Sequence, residues 1–403
     1  MNKELIVDIE RLLPGGLGLA HESGKTIFVS LAAPGDRVRV RVDREQGNVL
    51  FASITEIITS SPVRIEPPCP YFGRCGGCDF QQLNYETQLV AKAEIIRDCL
   101  RRIAGLKTIP DFNVHPSPEW RYRGRAVWQL DPETESIGYY ERGSRRVCDV
   151  ADCAVLAPEL QKTLERIRET PWHSIPSELK HLQAVKGSDG VSVSPEFAEF
   201  RTTEVELKVG DEIYKLTADA FFQINQHLLG PLMDFALAGA TGDTALDLYC
   251  GVGLFTLPLA RRFKQVVGVE SNPVATHFAR RNLQLAGLEN AQVHTTGVSE
   301  WIGTATVGGA RWDFVLLDPP RAGAESAVIK GILKFAPREI SYVSCDPATL
   351  GRDLKKLIAG GYVIGSIAAF DLFPQTHHVE TVVRLKRAVA DEVRNSVQSG
   401  RAA

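Results

Sequence analysis

The 403-residue sequence contains no apolar run long enough to span a bilayer. Its opening, MNKELIVDIERLL, is too acidic for a secretory leader. These absences exclude membrane spans and lead to the expectation of a cytoplasmic protein. Net charge is nearly absent too, −3 at neutral pH, so any nucleic-acid site must be a local patch and not a global field. Paired C-x2-C units, the usual mark of structural zinc, are also missing, since only one occurs.

What is present is ordinary in bulk: 44% hydrophobic and 24% charged residues, in a chain long enough for two or three domains. Eight cysteines in a cytosolic chain point to metal or catalytic roles in preference to disulfides. The C-terminal half alternates strand and helix (ALDLYC, QVVGVE, QVHTTG, FVLLDPPRAG, ISYVSCDPATL), which predicts a doubly wound, mostly parallel sheet with ligands at the carboxyl ends of its strands. The chain is organised around Thr244–Ala260, TALDLYCGVGLFTLPLA, read as strand, glycine turn and helix. A dinucleotide fingerprint wants a third glycine where Thr256 stands, and the next strand ends in Glu270. That combination suits S-adenosylmethionine at least as well as NAD.

Residues 1–59 alternate apolar and polar positions between Pro-Gly, Gly-Asp and Gly-Asn turns, predicting a small antiparallel barrel. Its order of segments resembles the TRAM domain, an oligonucleotide-binding-like barrel. Arg37, Arg39 and Arg41 share one strand face, either solvated or facing RNA. After a proline-rich joint (Ser60–Pro68), Cys69, Cys75 and Cys78 form a C-x5-C-x2-C pattern that favours a metal centre. An iron–sulfur cluster needs a fourth thiolate; Cys148 and Cys153 both follow, and spacing does not choose between them. Cys99 falls in a helical pattern as an apolar filler. Between the cysteines, Arg121, Arg123 and Arg125 interleave with Trp120, Tyr122 and Trp128, a composition that either holds and stacks RNA or forms a mixed strand; Gly138–Arg146 adds positive charge at a turn.

Further chemistry sits at strand ends. Gln223 in FFQIN precedes the glycine-turn unit; it is a plain loop residue or a cofactor contact. Asp318 meets two prolines that stiffen its loop. Cys345 ends a strand just before a helix whose N-terminus would favour a thiolate, making it a nucleophile or else a buried structural cysteine. Glu380 follows His377 and His378 at the start of a terminal strand, solvated or facing a cleft as a base.

Taken together, CPYFGRCGGC, FFQIN, DLYCGVGLFTLPLA, VLLDPPRAG, VSCDPATLGRDL and HHVETVVRL resemble the RNA 5-methyluridine methyltransferase family, in the family's order and across essentially the whole chain. The barrel and cluster motif are similar to the branch that methylates 23S rRNA. The resemblance implies three units: a TRAM barrel (1–59), a central α+β RNA-binding domain with a [4Fe–4S] cluster (60–210) and a Rossmann-like methyltransferase domain (211–403). It implies S-adenosylmethionine at Gln223, Tyr249, Glu270 and Asp318, and a cluster on Cys69, Cys75, Cys78 and Cys153. It also implies Cys345 as nucleophile, Glu380 as base and RNA as partner, with the protein a monomer. Leu254 departs from members that carry a polar residue there, which removes one side-chain contact to the cofactor. Transfer RNA is the competing substrate. An iron–sulfur redox enzyme and a non-catalytic RNA-binding protein are the rival readings.

Overall fold

The computed structural model describes residues 3–307, 309 and 311–388. Residues 389–403 of the expected C-terminal unit, and Met1 and Asn2 of the barrel, lie outside that description. The N-terminal strands lie in the order Glu4–Asp8, Arg37–Gln46, Val49–Thr59, Lys25–Ser30, Gly18–Glu22 and Arg11–Leu12. Their alternation points Val38 and Val40 inward against Val7, Ile27, Val29 and Leu50. The expected small barrel is present, with one departure from the antiparallel pattern: Lys25–Ser30 pairs parallel with Val49–Thr59. The barrel is stapled to the proline joint by Asp36, whose buried carboxylate accepts from Ala33 N–H (2.7 Å), Ser61 N–H (3.0 Å) and Arg64 Nη2 (2.6 Å).

A second, antiparallel sheet orders Val147–Asp149, Ser136–Tyr140, Arg125–Asp131, His181–Lys186 and Val191–Ser194. Helix Pro158–Glu169 covers one face, burying Leu160, Leu164 and Ile167 with Trp128, Leu130 and Leu182. Proline at the helix's first position fits there, since that N–H would be unpaired in any case.

The large sheet has eight strands: Ala291–Thr295, Phe263–Glu270, Gly242–Leu248, Phe314–Leu317, Glu339–Ser344, Glu380–Arg387, Tyr362–Phe370 and Val114–His115. The first five are mutually parallel, and Glu380–Arg387 is inserted antiparallel between Glu339–Ser344 and Tyr362–Phe370. This is the Rossmann-like sheet expected from the alternating pattern. Val114–His115 and helix Tyr85–Arg102, counted with the central unit on sequence, belong to this layer. The strand pairs parallel to Tyr362–Phe370, and Ala93, Ile96 and Leu100 join the core of Val328, Leu350, Leu354 and Val383. Cys99 is buried on that helix, as its apolar-filler assignment requires.

Lys92 of the same helix is fully buried and donates to Asp371 Oδ1 at 2.6 Å and to the Phe373 carbonyl at 3.1 Å. Burial pushes the ammonium's pKa down, and Asp371 opposes that shift. Removing one member strands the other in a dry site. Lys92→Met is expected to cost about 3–5 kcal/mol, and the double variant Lys92→Met, Asp371→Asn should recover at least half of it. Denaturant midpoints of the three full-length proteins test this.

Candidate active site

Strand order in the large sheet reverses between Gly242–Leu248 and Phe314–Leu317, which opens a crevice beyond their carboxyl ends. Tyr249 leaves the first strand with φ +65° and Gly251 and Gly253 continue at +54° and +94°, so the chain turns within a few residues. Asp247 is buried beneath this turn and takes the Thr256 hydroxyl at 2.5 Å. That bond explains the absent third glycine: the position carries a donor that a buried carboxyl needs. The Asp247 Oδ1 atom has no partner among the described residues. Burial, opposed by the Thr256 hydrogen bond and reinforced by Asp318 and Glu270, pushes the Asp247 carboxyl up to about 7.

Glu270 ends the adjacent strand. It accepts from Asn272 N–H at 2.7 Å and from Gly251 N–H at 3.3 Å, so it is bound to the turn itself. Asp318 ends the strand on the other side, and its carboxyl is pushed up to about 7 by burial, opposed by a hydrogen bond from the Gln223 side chain. Gln223, Tyr249, Glu270 and Asp318 thus surround one turn. Three carboxyl groups at this rim, counting Asp247, suit a cationic sulfonium and disfavour the pyrophosphate of a dinucleotide. Leu254 is buried in the core and offers the crevice no side chain; its carbonyl accepts from the Tyr214 hydroxyl at 2.8 Å.

Cys345 directly follows Glu339–Ser344, and Glu380 opens the antiparallel neighbour. Their register pairs Ser344 with Thr381, so the thiol and the carboxylate emerge at the same end of adjacent strands. Glu380 is 1% exposed, and its Oε1 has no hydrogen-bond partner among the described residues. Burial raises its pKa well above the ordinary value, Asp318 adds to this, and Arg321 opposes it. The Cys345 thiol is pushed up to about 12 by burial, then by Glu380 and Asp318, with Arg321 again opposing. The expected stabilisation of thiolate by the helix N-terminus is offset. Asp346 caps helix Pro347–Ala359 by accepting from Ala348 and Thr349 N–H (2.9 and 2.8 Å), and its charge lies beside the sulfur. Arg321, within the DPPR segment but not singled out on sequence, supplies the compensating positive charge. Phe221 belongs to the same FFQIN segment as Gln223. It is 59% exposed next to Gln223, with the Arg125 guanidinium 5.8 Å from its ring centre.

The cysteines Cys69, Cys75, Cys78 and Cys153 line one recess with Gln81, Arg123 and Tyr139, and Cys148 is not part of that lining. Cys148 is buried on strand Val147–Asp149, paired opposite Tyr139. Burial pushes Cys75 up to about 11 and Cys78 up to about 12, and raises Cys69. Among the described residues no three Cys, His, Asp or Glu side chains converge closely enough to hold a single metal ion.

Of the two readings of the aromatic–arginine stretch, burial favours the mixed strand over an RNA platform. Tyr122 and Trp128 are buried. Arg125 is buried as well and donates to the Ala220 carbonyl (2.7 Å) and Gln183 Oε1 (2.6 Å), while Arg121 pairs with Asp152. Interleaved rings and guanidinium groups here build a sheet core. Arg37, Arg39 and Arg41 of the barrel are ion-paired with Asp8, Glu56 and Asp43 at the exposed surface. Such pairs contribute little to stability and dissociate readily.

Two family models match: one described as tRNA (Uracil-5-)-methyltransferase over residues 197–388, and the TRAM domain of tRNA (uracil(54)-C(5))-methyltransferase over residues 5–63. An uncharacterized RNA methyltransferase of Aquifex aeolicus is 31% identical over 96% of this chain and 99% of its own. The 23S rRNA (uracil(1939)-C(5))-methyltransferase RlmD of Vibrio parahaemolyticus is 32% identical over 95% and 96%. The crystal structure of Pyrococcus abyssi tRNA (uracil-54, C5)-methyltransferase with S-adenosyl-L-homocysteine superposes with a TM-score of 0.72, at 26% identity over 94% of this chain and 100% of that one. With its barrel, its doubly wound sheet and these full-length relatives, the chain belongs to the family of S-adenosylmethionine-dependent RNA (uracil-C5)-methyltransferases.

Proposed function

We propose that the chain methylates C5 of a uridine in 23S rRNA through a covalent adduct, with Cys345 as nucleophile and Glu380 as base. The observation that carries this is the pairing of a thiol and a buried, unpartnered carboxylate at the same end of neighbouring strands, beside the crevice. S-adenosylmethionine, when bound, supplies an electrophilic methyl group; Gln223, Tyr249, Glu270 and Asp318 would hold it. Uracil C5 is too poor a nucleophile to accept that group unaided. Addition of the Cys345 thiolate to C6 converts the ring to an enolate whose C5 is reactive. Arg321 favours the thiolate against the neighbouring carboxyl groups. Once C5 carries the methyl, its proton leaves to Glu380 and the C6–S bond breaks, restoring the ring and the thiolate. A carboxylate whose pKa is raised by burial is suited to that abstraction. The ribosomal RNA assignment rests on the relatives named RlmD; the tRNA enzyme of Pyrococcus abyssi favours the alternative substrate.

The four-cysteine recess supports a [4Fe–4S] cluster on Cys69, Cys75, Cys78 and Cys153. All four thiols line one recess, and a cluster held by four thiolates is the group that such a donor set fits. The buried Nε of Arg123, which lacks a partner among the described residues, lies in the same lining. A cluster there would cross-link the loop to the central sheet, a structural contribution.

Glu380→Gln should trap a covalent RNA adduct on denaturing gels, formed with 23S rRNA fragments in preference to tRNA transcripts. No adduct from a folded variant rejects the base assignment, and preferential trapping of tRNA rejects the ribosomal substrate. Because burial, reinforced by Asp318, raises the pKa of Glu380, ionised Glu380 becomes available as pH rises. Product release at saturating cofactor should therefore climb as pH is raised through the neutral into the alkaline range, and Asp318→Asn should move that climb to lower pH. Single-turnover rates across that range test the sign. Cys153→Ser should lose most bound iron by colorimetric assay, whereas Cys148→Ser should retain it.

A further inference from the structure

Segment 371–379, which delivers Glu380 to its strand, is gripped from the N-terminal half of the chain. Its closest hold comes from the residues that directly follow Cys78. Asp79 N–H and Phe80 N–H both donate to the Gln375 carbonyl at 3.0 Å. The Asp79 carboxylate accepts the His377 N–H at 2.7 Å, and its other oxygen lies 2.6 Å from His377 Nδ1. Gln88 exchanges two bonds with Gln375, each of 2.9 Å, and Gln375 itself sits at φ +67°. The Cys78 carbonyl in turn accepts from Arg142 Nη2 at 2.7 Å. Gly16 of the barrel closes the junction from the third side. Its φ is +74°, and a Cβ there would meet His377 Cβ at 3.2 Å and Phe80 at 3.3 Å. His377 is three positions before Glu380 in the chain.

We propose that Asp79 is a positioning residue for the methylation reaction. By bracketing His377 it couples the conformation of the cysteine loop to the placement of Glu380. Whatever orders Cys69–Cys78 thereby orders the base, whereas the glycine turn of the methyl-donor crevice is held by bonds of its own, from Thr256 to Asp247 and from Gly251 to Glu270. The bracket touches no reacting atom and acts only through the segment it holds. The proposal rests on the assignment of Glu380 as base.

The test compares full-length wild type with Asp79→Ala, Asp79→Asn and His377→Ala, each with its iron content measured. Amide exchange across residues 373–380 is expected to quicken in Asp79→Ala and His377→Ala, with Asp79→Asn intermediate because its amide can still accept the His377 N–H. This readout needs neither RNA nor turnover. Methyl-donor affinity by calorimetry should change less than about twofold, while covalent adduct accumulates and product release slows by about tenfold to a hundredfold, the cost of a misplaced group. His377→Ala reaches the bracket from the side away from the cysteines, so the result survives if Asp79→Ala loses iron. Unchanged exchange in 373–380 in both alanine variants overturns the proposal. Quickened exchange with wild-type release and no adduct build-up also overturns it. A folded Glu380→Gln variant that traps no adduct, with the exchange pattern intact in the alanine variants, instead rejects the reading of Glu380.

Discussion

The antiparallel insertion of Glu380–Arg387 into an otherwise parallel layer is the constraint on which the site depends. A parallel strand in that position would present its carboxyl end beside Cys345 and leave Glu380 at the far edge. Running the other way, its first residue meets the last residues of Glu339–Ser344. Two groups distant in sequence therefore meet at one end of the sheet, and their charges must be managed together. Burial and like charge raise the thiol and the carboxyl groups alike, and Arg321 is the counterweight. The same crowding of carboxyl groups around the glycine turn makes the crevice hospitable to a cation.

Much of this was legible in the chain, for local reasons. The glycine turn, the Asp-Pro-Pro loop and the cysteine before Asp346-Pro347 announce themselves because strand ends, prolines and glycines act over a few residues. The alternating pattern likewise fixed both the barrel and the doubly wound sheet. The fourth cysteine could not be read from spacing, because Cys148 and Cys153 differ only in whether a buried strand or the following loop carries them. Glu380 was ambiguous for the same kind of reason, since its meaning depends on which strand it lies beside.

The ambiguity of the segment around Tyr122 and Trp128 has a different origin. Aromatic rings alternating with arginines are compatible with a nucleic-acid platform and equally with a sheet whose guanidinium groups satisfy carbonyls in its core. Composition cannot separate the two; the acceptors on Ala220 and Gln183 do. Thr256 shows the converse. What looked like a defective fingerprint is a positive requirement of the carboxyl buried beneath it.

The edge strand Val114–His115 and the helix Tyr85–Arg102 bear on how the protein is made. On the ribosome they emerge well before the sheet they complete, so Ile96, Leu100 and the buried Lys92 must wait, partnerless, until Asp371 and Val383 have been translated. Closing contacts at such separations is entropically slow, and an apolar helix face left open meanwhile invites association with other chains. A piece starting at residue 197, where the methyltransferase match begins, would lack both elements and expose the same seam from the opposite side.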